Sequence, residues 1–341
     1  MNRRNHVTLL AGGMLLLMLL FLLNISLGSV AIGPVQILKG IFFSDWEKVS
    51  FEQIVINYRL PKAFVAVIAG LGLSLSGLQM QTFFRNPLAG PYVLGISAGA
   101  GFGVAILILA GALLGFGMGA IHPWSLALAG TLGAGLILSL VSVVAWRVKD
   151  SMTLLIVGIM FGAAVSSIIS VLSYFSGAET LKLFTIWSMG SLGSLDWLQV
   201  AVLGASVFLG ILPVLFSIRS FNALLLGESY AKSMGVNTKK LRWWMIGSTG
   251  LMAGAITAFC GPIAFVGIAV PHLARMIWKS ADHRVLIPAS GLVGAALLLI
   301  CDSIAQLPGL AESLPINAVT SLIGAPIVIG LVLRRNFSKE F

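Results

Sequence analysis

The chain is dominated by long uncharged apolar runs. The first extends from Val7 to about Leu27, with no charged residue inside it. About 20 such residues, wound as a helix, cross the roughly 30 Å hydrocarbon core of a bilayer. Comparable runs recur between clusters of charge, Pro or Gly. Ten membrane helices are expected, at about 7–27, 61–83, 91–112, 124–146, 152–174, 198–217, 241–259, 262–278, 284–305 and 314–333. Lipid satisfies no backbone polar group, so spanning segments must be helices or closed barrels. Continuous apolar runs lack the alternation of a barrel strand. Composition excludes the soluble classes: only 9% of the 341 residues are charged, against roughly 25% in soluble domains. Asn2, Arg3 and Arg4 before the first run imitate a signal peptide. That run is long enough to span, and it reads as an uncleaved first helix.

Charge then orients the helices. With ten spans and an inner N-terminus, only Lys39, Lys48, Arg59, Lys62 and Lys182 of the 21 basic residues fall outside. The rest fall on the cytoplasmic side, as the positive-inside rule requires. Both termini are therefore expected in the cytoplasm. The net charge of +10 suits loops facing anionic lipid better than nucleic acid. Asp45, Glu47, Glu52, Glu179, Asp196, Asp302 and Glu312 fall at or beyond the outer rim, and Asp150, Glu228, Asp282 and Glu340 fall inside. No carboxylate is expected near mid-membrane, where ion-coupled carriers place ionisable groups. No GxxxxGK[ST] phosphate loop occurs either. Energy is therefore expected from a partner.

Five segments stand out. Arg59-Leu60-Pro61-Lys62 puts two cations at an outer helix mouth, with Pro61 suited to a first turn. They either snorkel to the interface or meet acidic groups of a partner. Phe84 to Pro91 carries two prolines four apart, a stiff turn leading to Gly95, Gly99 and Gly103, a face for close helix contact. In the cytoplasmic segment 222–236, Glu228 and Lys232 form an i,i+4 pair, Gly235 is a helix stop, and Leu226, Tyr230 and Met234 form an apolar stripe. That helix either lies on lipid or docks into a partner's groove. Near the cytoplasmic face, Pro271 is expected to kink or end a span. The adjacent His272 suits a helix-end hydrogen bond better than a metal set, since no HExxH or Cys/His cluster exists. Asp302 is expected to be paired or solvated at the outer rim. Cys260 and Cys301 read as small packed residues.

RLPK (59–62), RNPLAGPYVLGISAGA (85–100), GxIxFxGxxxPHLAR (261–275) and LPIxxxTxxIGAP (314–326) occur in this order over nearly the whole chain. Together they resemble the FecCD permease family of ATP-driven importers for iron-siderophore, haem and vitamin B12. The resemblance implies an all-α integral membrane protein with the type II ABC importer permease fold, in one domain over 1–341. It implies a homodimer in the bacterial plasma membrane, two cytoplasmic ATPase subunits carrying ATP-Mg, and an external binding protein. The chain itself would bind no cofactor or metal and hold no catalytic group. Arg59 and Lys62 resemble the family's contacts to acidic residues of the binding protein. A third basic contact usually stands four residues after Asp302; here it is Gln306. Asn86, Pro87 and Leu88 match a cytoplasmic gate loop. Residues 222–236 match the coupling helix, with Leu226, Gly227, Glu228, Tyr230, Ala231, Met234 and Gly235 facing the ATPase. The expected cargo is a bulky metal chelate, ferric siderophore first, then haem or cobalamin. A stand-alone secondary transporter or exporter of a small hydrophobic molecule is the rival, and it would need an ion site that the sequence does not contain.

Overall fold

The computed structural model describes residues 3–111, 121–148, 151–306 and 313–337. Lys149, Asp150, Glu312, Lys339, Glu340 and position 112 of the third expected span lie outside them. Every regular element among the described residues is helical. In chain order these are α1 (Arg3–Ser26), α2 (Pro34–Phe43), α3 (Val49–Ile54), α4 (Leu60–Phe84) and α5 (Ile96–Ala105). They are followed by α6 (Pro123–Arg147), α7 (Ser151–Phe175), α8 (Ala178–Ser188), α9 (Trp197–Phe216) and α10 (Ile218–Leu225). The last are α11 (Glu228–Ser233), α12 (Thr238–Cys260), α13 (Val266–Trp278), α14 (His283–Ala305) and α15 (Ile316–Phe337). Seven helices are long and apolar enough to cross a membrane, and shorter apolar helices at 96–110, 266–278 and 316–330 occupy the other three expected spans. The chain is a multi-pass membrane protein.

Apolar length dictates the spans, and local polar groups set their ends. Asp196, Asn237 and Asp282 each accept a backbone N–H at the start of α9, α12 and α14, which satisfies donors that a helix start leaves free. The core is built on α4, which packs against α9, α12, α13 and α14. Small residues allow this. A Cβ on Gly70 would strike the Gly294 carbonyl, and one on Gly294 would strike that of Gly70. The expected glycine face is present as well: Gly99 and Gly103 lie against the backbone of α6 at Gly133 and Ala129. Between membrane helices, which lack a hydrophobic driving force, such backbone approach supplies van der Waals contact.

Three boundaries differ from the sequence expectation. The presumed outer loop 28–60 contains α2 and α3, and α3 runs into α4 through a π-turn at Val55–Arg59. Pro61 therefore sits in a continuing helix. The wider turn just before it accommodates a residue that cannot bond four positions back. The span expected at 91–112 opens with a 3₁₀ turn, Pro91–Leu94, and the left-handed Gly95 (φ 69°) before α5. The span expected from 262 begins only at Val266, after the left-handed Phe265 (φ 65°). Pro271 does not end α13, which continues to Trp278. The carbonyl that Pro271 leaves without its helical donor belongs to Gly267. That carbonyl lies against Gly77 of α4, where no side chain intrudes.

Candidate functional site

Two polar clusters lie at opposite ends of α4. At one end, Arg59 leaves the π-turn and points inward, 8% exposed. Its Nη1 donates to the carbonyls of Ile25 (3.0 Å) and Ser26 (3.1 Å), and its Nη2 donates to that of Val30. α1 ends at Ser26, so the guanidinium closes carbonyls that a helix end leaves open. Three residues on, Lys62 Nζ pairs with Asp302 Oδ1 of α14 at 3.0 Å. The other carboxylate oxygen accepts from Asn24 Nδ2 of α1 (2.9 Å) and from Gln306 Nε2. Asn24 also donates to Ser303 Oγ at 3.1 Å. Asp302 is buried, and the Lys62 side chain is 18% exposed. Lys62 and Gln306 thus meet around Asp302, whereas Arg59 serves the end of α1. Sequence reasoning missed Asn24; its signal was a single amide in an otherwise apolar run.

At the opposite end, α4 closes on Arg85 in the left-handed region (φ 49°). Asn86 Oδ1 accepts the Leu88 backbone N–H at 2.9 Å, and the Asn86 carbonyl accepts that of Ala89 at 3.1 Å. Asn86-Pro87-Leu88 is a locked turn with Leu88 exposed at its tip. Behind it, Gln81 accepts from Arg275 (2.7 Å) and donates to the Ile268 carbonyl (3.0 Å), tying α4 to α13.

Beside this turn stands the elbow α10–α11. Gly227 (φ 115°) separates its two short helices, and Gly235 (φ 82°) follows the second. The segment 222–236 is therefore two helices, where the sequence suggested one. Leu226, Tyr230 and Met234 are exposed, whereas Ala231 is fully buried in its own chain. Glu228 and Lys232 pair at 2.9 Å. The Lys232 hydrogen bond holds the Glu228 carboxyl below its ordinary pKa. A cavity of about 350 Å³ runs between the elbow, the end of α4 and the start of α12, with Arg85, Glu228 and Arg242 on its walls. No group of three His, Cys, Asp or Glu able to hold a metal is found among the described residues.

An inward-tied polar rim, a helical bundle of membrane length and an exposed elbow at the far end define a polytopic membrane protein. The chain belongs to the FecCD transport family, whose sequence model matches residues 16–334. It is 36% identical over 337 residues to the vitamin B12 import system permease protein BtuC of Escherichia coli O127:H6 (strain E2348/69 / EPEC), covering 98% of this chain and 97% of that one. It is 34% identical, with the same coverage, to the BtuC of Escherichia coli O17:K52:H18 (strain UMN026 / ExPEC). Among solved structures it resembles an inward-facing conformation of a metal-chelate type ABC transporter. The TM-score is 0.84 and the identity 29%, over 96% of this chain and 99% of the other.

Proposed function

We propose that this chain is the permease of an ATP-driven importer that passes a bulky metal chelate across a bacterial inner membrane. It works as one of two copies, with two cytoplasmic ATPase subunits and an external binding protein. The end-to-end match to vitamin B12 import permeases carries this reading. Cobalamin is accordingly the first cargo to test, and ferric siderophore, the cargo expected from sequence, the second. The positive-inside bias supports an orientation with the Arg85 end and both termini in the cytoplasm.

Each site then has a task. Leu226, Tyr230 and Met234 offer the ATPase an apolar docking face, and ATP-Mg closure of the ATPase pair displaces the elbow. The locked turn at Asn86-Pro87-Leu88 forms part of the inner gate, and the bundle alternates between outward and inward access. At the outer rim Lys62 and Gln306 face acidic groups of the binding protein, while Arg59 holds the rim's shape from inside.

The test is reconstitution in proteoliposomes with the partner ATPase and binding protein. Hydrolysis and uptake are compared for cobalamin, ferric siderophore and haem. One cargo should stimulate both. Uphill accumulation by the chain without any ATPase would overturn the proposal. Leu226→Asp with Tyr230→Asp should abolish ATPase capture and leave the fold intact.

A further inference from the structure

The elbow is joined to the bundle by a polar chain that runs from the part-buried Asn222 and Asp282 to the buried His283 and Thr82. Asn222 of α10 donates through Nδ2 to Asp282 Oδ1 at 2.6 Å. An ionised carboxylate only accepts, so the amide nitrogen must face it and the amide oxygen must face the other way. That oxygen accepts the backbone N–H of His283 at 2.9 Å and lies 2.8 Å from His283 Nδ1. Nδ1 therefore carries the proton. In the neutral ring Nε2 is then an acceptor, and it lies 2.9 Å from Thr82 Oγ1 of α4. Thr82 Oγ1 also sits 2.8 Å from the Leu78 carbonyl. His283 and Thr82 are buried. Phe221, equally buried, lies against the His283 ring with centroids 5.4 Å apart and planes tilted by 55°.

Apolar contact through Phe221 holds α10 to the bundle but tolerates sliding. The hydrogen bonds resist it, because the His283 ring is fully buried and loses a partner if either neighbour slides. We propose that Asn222, His283 and Thr82 form a strut that converts displacement of the elbow into movement of α4. This rests on the reading that the elbow receives the ATPase. The end of α4 continues into the Asn86-Pro87-Leu88 turn, so the strut joins the docking face to the gate. The three are positioning residues, acting through α4.

The test replaces Thr82 with Val, nearly its shape without the hydroxyl, and with Ser, which restores it. In proteoliposomes with ATPase and binding protein, Thr82→Val should keep hydrolysis and lose transport per ATP about tenfold, the scale of an ordinary coupling between sites. Thr82→Ser should recover the ratio, and Asn222→Ala should repeat the loss. A Thr82→Val transport-to-hydrolysis ratio equal to that of the unsubstituted chain would overturn the strut. A second measurement needs no ATPase. In the permease alone, hydrogen exchange across 218–225 should rise in Thr82→Val and not in Thr82→Ser, and unchanged exchange would also overturn it. Failure of the docking reading looks different: Leu226→Asp with Tyr230→Asp would leave ATPase capture intact.

Discussion

Replacing Asp302 by Ala tests the rim most directly. The carboxylate takes Lys62 at 3.0 Å, Asn24 at 2.9 Å and Gln306. Its removal strands the Lys62 ammonium, while Asn24 keeps Ser303 Oγ and Gln306 keeps the backbone carbonyl of residue 302. Breaking a buried pair from one side costs roughly 3–5 kcal/mol. Lys62 keeps 18% of its side-chain surface, and water there relieves part of the loss. We expect about 3 kcal/mol, near the lower bound, or about a hundredfold in the folded-to-unfolded ratio. Lys62→Met leaves Asp302 with both amide donors, so about 2 kcal/mol is expected. The double variant no longer contains an uncompensated charge. It should cost about 3 kcal/mol rather than the sum, a coupling of about 2 kcal/mol. Tryptophan fluorescence during reversible unfolding in mixed micelles measures all four species. Additive single costs, or an Asp302→Ala loss below about 0.5 kcal/mol, would show that the rim is not organised around this carboxylate.

Other substitutions give sharper contrasts. Gly77→Ala would press a methyl group into the Gly267 carbonyl, and should lose about 2 kcal/mol or more by overpacking. Gly247→Ala meets nothing within 4 Å in α12, and should be neutral or gain up to about 1 kcal/mol of helix propensity; thermal unfolding of both compares them. The lowered Glu228 pKa means that its pair with Lys232 stabilises the elbow above the ordinary carboxylate pKa. That contribution fades as pH falls through the depressed folded-state value. Both side chains are well exposed, so Glu228→Gln should cost at most about 0.5 kcal/mol at neutral pH and nothing in acid. Hydrogen exchange of 228–233 against pH reads this. Arg59→Ala should leave α1 folded but raise proteolysis at residues 27–33, because three carbonyls lose their donor; unchanged cleavage would refute the capping role.

Hydropathy made the spans legible because lipid tolerates so few alternatives. Boundaries failed where the backbone departs from regular helix. The π-turn before Pro61 and the left-handed Phe265 are tertiary solutions, set by neighbours that a local reading does not see. Motif order pointed to the elbow and the Asn86 turn, and both are distinct structural units. The direction of Arg59 was not legible: a basic residue at a helix mouth looks the same whether it faces a partner or its own chain. Nor was the Asn24–Asp302 contact, because no periodicity links positions that far apart.

That same contact has a consequence for biogenesis. Asn24 and Asp302 are 278 positions apart. At roughly 5–20 residues per second, the ribosome delivers the second on the order of half a minute after the first. Throughout that interval α1 carries an amide with no permanent companion, sheltered only by the lipid border or a translocation assistant. The bundle can be sealed only when its penultimate helix arrives, so an insertion factor that releases α1 early would leave an orphan polar group in oil.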